Sequence, residues 1–142
     1  LASMGPGGAL LASTDRVGRA ELAGLELELD SAQLLSGLAS APPGVPRLHV
    51  RVERIDSVGP VGSCLWYRLM TPLASVLDVT GAGDALLAGA ARAFSGGWRL
   101  EEAVLAGLFC AHVTLFAGGA VAPFFSAELF ERLATAVQSR SR

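Results

Sequence analysis

Cysteine is scarce in this chain. Cys64 and Cys110 lie far apart, with no CxxC pair and no histidine at ligand spacing. That excludes a disulfide framework and a zinc module of ordinary spacing, and reads as a reduced, cytoplasmic setting. Aromatics make up 6% of the 142 residues and charged residues 17%, against 51% hydrophobic. So low a charge content argues against disorder and for a core built mainly of Leu, Val and Ala. Basic residues are scattered and the net charge is -2, which gives no electrostatic footprint for nucleic acid. Backbone amides bind phosphate without side-chain charge, so a phosphate-bearing small molecule stays open. Residues 103–127 carry no Asp, Glu, Lys or Arg and are long enough to cross a bilayer. His112, Thr114, Gly118, Gly119 and Pro123 interrupt that stretch, so the expectation is a buried helix, a turn and an apolar crossing, with no membrane span.

Turns and periodicity divide what is present. Residues 1–13 read as strand, Gly-Pro-Gly-Gly turn, strand. Leu25, Leu27 and Leu29 alternate with Glu26, Glu28 and Asp30 at strand period, although Glu21 and Leu22 leave an acidic helix open. Residues 31–38 have the makings of a short helix and 39–46 of a loop. Strands are expected over 47–55 and 63–70, with a turn over 56–62. A small-residue helix follows Asp84 and ends at Ser95-Gly96-Gly97. Leu100, Val104 and Leu108 predict a second helix to Phe116, with Glu101 and Glu102 in its first turn, where they suit the helix dipole. Ser126 is an N-cap for a last helix that faces Leu129, Phe130, Leu133 and Val137 inward.

Asp78-Val79-Thr80-Gly81-Ala82-Gly83-Asp84 is the segment with chemistry in it. Small residues let the backbone approach a ligand closely and turn successive N–H groups into one space. The helix that starts there adds its positive end. The result is an anion hole with the Asp84 carboxylate at its mouth. A carboxylate there can take the proton of a hydroxyl attacking phosphorus while the hole stabilises the transferred charge. The plainer reading of Asp84 is a helix cap.

DVTGAGD followed by ALLAGA resembles the second signature of the ribokinase-like, or PfkB, kinases. The resemblance implies that Asp84 is the catalytic base and that Gly81, Ala82 and Gly83 form the anion hole. It makes Asp78 and Thr80 candidates for a monovalent cation, K+. Ser3-Met4-Gly5-Pro6-Gly7-Gly8 is similar to the family's turn beside the nucleotide, which makes Gly5 and Gly8 candidate nucleotide contacts; their plainer reading is hairpin glycines. Gly119-Ala120-Val121-Ala122-Pro123 resembles the turn after the family's next helix. The likeness is strong over residues 73–137 and fair over 1–13; residues 14–72 align poorly, which leaves an insertion, a lineage-specific loop or an intron-derived misprediction open.

The family implies an α/β fold, a ribokinase-like three-layer α/β/α arrangement with a mostly parallel sheet. This chain would be its C-terminal, nucleotide-binding part, since it starts at Leu1 and its first residues already read as domain interior. It implies ATP and Mg2+, phosphoryl transfer to a hydroxyl of a sugar or nucleoside, and a homodimer in the full-length protein. Val79, the ALLAG continuation and the Ala-Val-Ala-Pro turn look more like pseudouridine kinases than ribokinases or other sugar kinases. The alternative is a truncated, non-catalytic module that keeps nucleotide affinity. On their own merits, His112 reads as a packed core residue, His49 as facing solvent, Cys110 as core, and Trp66 and Tyr67 as packing.

Overall fold

The fold is that of a computed structural model, which describes residues 1–12, 22–56, 63–71, 81–117 and 125–141. Strands β1 (Ala2–Ser3) and β2 (Ala9–Ala12) flank a one-turn 3-10 helix at Gly5–Gly7. β3 (Glu26–Leu29) leads into a short helix α1 (Ser31–Leu35). β4 (Leu48–Asp56) and β5 (Ser63–Leu69) follow, then α2 (Ala82–Ser95), α3 (Leu100–Ala117) and α4 (Ala127–Ser141).

The described strands form one sheet in the order β1-β2-β5-β4-β3, and every neighbouring pair is antiparallel. This corrects the expected mostly parallel sheet. The physical reason lies in the links. Five residues join β1 to β2 and six join β4 to β5, whereas a parallel crossover needs about a dozen or more. The three-layer expectation meets a similar correction among the described residues. One face of the sheet buries Ala9, Leu11, Leu27, Leu29, Leu48, Val50, Val52, Leu65 and Tyr67. That face shares a hydrophobic core with Leu86 of α2, Val104, Leu105, Leu108 and Phe109 of α3, and Leu129, Leu133 and Val137 of α4. The opposite face is polar. Glu26 forms an ion pair with Arg51 and Arg68 lies 3.7 Å from Glu53, while the Arg68 guanidinium also sits 5.3 Å over the Trp66 ring. The Arg51 guanidinium holds the Glu26 carboxyl below the usual carboxylate range.

Alternation at Leu27 and Leu29 against Glu26 and Glu28 settles the helix-or-strand ambiguity, because the leucines are buried and the glutamates exposed. Asp30 caps α1 by accepting the Gln33 N–H at 3.2 Å, and Ser126 caps α4 through the Leu129 N–H at 3.3 Å.

Helix α3 is long and apolar enough to cross a membrane by length and composition alone, and most of it is buried inside the fold. Even Glu101 and Glu102 in its first turn are buried, and Tyr67 donates its hydroxyl to the Glu101 carbonyl at 2.8 Å. Burial, with the two glutamates nearby, pushes the Tyr67 hydroxyl well above its ordinary range. Cys110 is core, its thiol pushed up to about 12 by burial.

Helices α2 and α3 touch through glycine. A Cβ on Gly89 would stand 2.8 Å from Cys110 Sγ and 3.0 Å from the Gly107 Cα, and a Cβ on Gly107 would collide with the Leu86 carbonyl oxygen. Backbone thus packs on backbone where the two helices meet.

Candidate functional site

Gly81 is the N-cap of α2 and adopts the left-handed conformation, with φ of 81°. A side chain there would be strained, so the turn that starts the helix requires glycine. The first intrahelical bond runs from Ala85 N–H to the Gly81 carbonyl at 2.9 Å. The N–H groups of Ala82, Gly83 and Asp84 precede it and have no acceptor within the helix. They form the positive end of a 14-residue helix.

That helix end meets the Gly-rich turn. Gly5 and Gly8, together with Ala82 and Gly83, line one cavity of about 230 Å³. Its remaining wall comes from Ser3 beside the turn and Pro6 within it, Leu69 at the end of β5, Leu86 of α2, and Leu108, Ala111, His112 and Leu115 of α3. No lining residue carries a full charge at neutral pH, so any anion held here is held by backbone.

The glycines in this cavity have different reasons for being glycine. Gly8 has φ of 101°, and a Cβ there would run into the Tyr67 carbonyl oxygen. The hairpin reading accounts for it in full. Gly83 lies inside a helix, and a Cβ there would meet nothing within 4 Å. Among the described residues nothing requires glycine at 83, in the first turn of the helix. An occupant of the cavity gives one.

Trp66 is a feature that sequence reasoning assigned only to packing. Its indole N–H donates to the Gly7 carbonyl at 2.9 Å and ties the Gly-rich turn to the central strand β5. Met4 N–H to the Gly8 carbonyl at 2.8 Å closes the turn from the other side. His112 is buried, as expected, but its ring also lines the cavity. The apolar wall had no signal beyond the helical period of α3. His49 lies on the polar face of the sheet, as expected, 3.7 Å from a Glu26 oxygen and with its side chain 38% exposed.

Asp84 stands exposed in the first turn of α2, directly after Gly83. Asp78 and Thr80, the candidates for a cation, lie outside the described residues. Among the described residues, no group of three or more His, Cys, Asp or Glu could hold a metal ion.

Comparison with known proteins finds a likeness over part of the chain. A family model for pfkB family carbohydrate kinases matches residues 66–126. The matched stretch runs from the middle of β5 through the Asp78–Asp84 segment, α2 and α3. Nothing in the match singles out a substrate, pseudouridine included. No curated protein and no solved structure matches the chain. The Gly5–Gly8 turn falls outside the matched residues, and the fold alone brings it to the helix end.

Proposed function

We propose that this chain is the nucleotide-binding part of a sugar or nucleoside kinase, with the cavity between the Gly5–Gly8 turn and the start of α2 as the nucleotide site. One observation carries the reading: among the described residues nothing requires glycine at 83, yet Gly83 lines a cavity walled by a second Gly-rich turn more than 70 residues away. A backbone cradle at a helix N-terminus, kept free of side chains, suits a phosphate group. The family match over residues 66–126 supports phosphoryl transfer as the use of that phosphate.

A nucleoside triphosphate with Mg2+ on its phosphates supplies the transferable terminal phosphoryl group when bound. The chain's own residues do the rest. Asp84 accepts the proton of the attacking hydroxyl while that oxygen forms its bond to phosphorus; the bridging bond breaks and its electron pair leaves with the diphosphate. The N–H groups of Ala82 and Gly83 stabilise charge on the group in flight. Asp78 and Thr80 are the proposed K+ contacts. The acceptor is a hydroxyl of a sugar or nucleoside, with a pseudouridine-like acceptor favoured by Val79, the ALLAG run and the Ala-Val-Ala-Pro turn.

Calorimetry of ATP and ADP binding with Mg2+ and K+ present, on the chain and on Gly83→Asp, tests the reading. The open space at Gly83 lets the variant fold and puts a carboxylate in the cradle. Binding that the variant loses supports the site; no binding by folded wild-type chain refutes it. Where transfer is measurable, Asp84→Asn should lower it by about 10²- to 10⁴-fold and leave nucleotide affinity intact. Nucleotide binding with no transfer to any sugar or nucleoside would instead support a non-catalytic module.

A further inference from the structure

A second cavity, of about 690 Å³, lies between the end of β3, α1, the start of β4 and the C-terminal part of α4. It shares no lining residue with the first cavity, and all of its lining falls outside the matched residues 66–126 but for the α4 wall, which lies beyond their end. Its volume is within the roughly 300–1,000 Å³ of small-molecule pockets. Leu29 and Leu34 on its wall are buried. Hydrogen bonds hold its frame. Arg132 of α4 donates through Nη1 to the Leu34 carbonyl at 3.0 Å and the Ser36 carbonyl at 2.7 Å, and through Nη2 to Glu128 at 2.6 Å. The Ser31 hydroxyl donates to the Pro46 carbonyl at 2.7 Å, and the Thr71 hydroxyl to the Arg47 carbonyl at 3.0 Å. The backbone of α1 and of Arg47 is thereby tied down on both sides of the space.

The charges on the wall are unequally committed. Arg132 is engaged as described. Asp30 accepts the Gln33 N–H at 3.2 Å through Oδ1 and faces Arg47 at 3.5 Å through Oδ2. That second contact is loose, since the Arg47 side chain is 63% exposed, and exposed pairs hold weakly. Arg47 can therefore turn to a better partner. Arg140 is exposed in the last turn of α4 and has no hydrogen bond or ion pair among the described residues. The helix dipole accounts for a cation in that turn, but not for a second, loosely paired guanidinium on the same cavity. Thr135 and Ser139 lie one helical turn apart on the α4 wall. Their hydrogens go to helix carbonyls at 3.3 and 3.4 Å, which leaves their oxygens to accept. The exposed Glu28 carboxylate adds a further acceptor, which repels a bare anion but suits a hydroxyl. We propose that this cavity binds a small hydroxylated anion, its phosphate or carboxylate group held by Arg47 and Arg140 and its hydroxyls donating to Thr135, Ser139 and Glu28. Guanidinium takes either anionic group two bonds at a time.

Calorimetry on the whole chain with glucose 6-phosphate, gluconate and glucose tests this. Wild-type chain should bind one or both anions with a Kd of about 1 mM or tighter and leave glucose unbound. Which anion binds distinguishes phosphate from carboxylate. The double variant Arg47→Gln, Arg140→Gln removes two exposed charges that the core does not need, and should weaken binding by about tenfold or more. Arg132 stays in place because it holds α1. Backbone amide resonances of residues 28–34 and 135–140 should move as the anion binds. Neither anion bound by folded wild-type chain, glucose bound as tightly as the anions, or affinity that the folded double variant keeps, overturns the proposal. So does movement confined to the amides of residues 81–85, which assigns the anion to the other cavity. The two cavities have no residue in common, so ADP affinity should be the same in the double variant, and a chain that binds no ADP leaves this test as it stands.

Discussion

Residues 8 and 83 are both glycine, both in the cavity, and predicted to respond in opposite ways. Gly83→Ala fills open space within a helix, so stability should hold or rise by up to about 1 kcal/mol while ADP affinity falls. Gly8→Ala adds a Cβ into the Tyr67 carbonyl at a positive φ, so it should destabilise by about 1–3 kcal/mol. Thermal melts beside calorimetry separate the two, and a Gly83→Ala that unfolds the chain would remove the case for a ligand-facing glycine. His112 sets a pH dependence. Burial lowers its folded pKa below the unfolded 6.5, so the unfolded chain takes up its proton first as pH falls. Stability should therefore drop progressively from about pH 6.5 toward the folded value, and His112→Gln should flatten that slope in denaturation midpoints. At this scale the sequence disclosed the glycines and Asp84 but not the partner of His112. Pro46 is 66 positions away, and no local pattern joins them.

At the scale of elements, most of the reading held wherever one period dominated. Leu27 and Leu29 made a strand visible, Ser126 marked a helix start, and Ser95-Gly96-Gly97 marked an end. Strand direction was the failure. The lengths of the links argued for hairpins, while the family resemblance argued for a parallel sheet, and the links were the better physical guide. The glycine contact between α2 and α3 was equally hidden, since a small residue declares that something comes close but not what. Gly107→Ala should force the helices apart at the Leu86 carbonyl, costing about 1–3 kcal/mol. Because Leu86 of one helix and Leu108 of the other both line the cavity, ADP affinity should fall with it. A stable Gly107→Ala chain with unchanged affinity would show that the helix spacing does not set the cavity.

For the molecule as a whole, the cavity joins what the sequence separates. The matched segment begins at Trp66, and the Gly5–Gly8 turn reaches it only because β2 pairs with β5, Leu10 opposite Trp66. The antiparallel sheet thereby does what a single long motif does elsewhere, holding two glycine turns at one space. Its polar face, with Glu26, Arg51, Glu53 and Arg68 in cross-strand pairs, and its buried face, with Tyr67 and Val52, divide the strands cleanly. That division was legible strand by strand from the alternation, whereas the identity of the layer behind each face was not.

The bond from the Trp66 indole to Gly7 has an optical consequence. The chain holds two tryptophans, and one of them grips the turn that walls the cavity. With Trp98→Phe in place, the emission of Trp66 alone should shift in wavelength or intensity as ADP fills the space beside Gly5 and Gly8, with a midpoint equal to the calorimetric dissociation constant. Silent emission at saturating ADP would mean that the turn does not sense the ligand. Otherwise the protein carries its own indicator dye, and occupancy can be followed in a cuvette without a label.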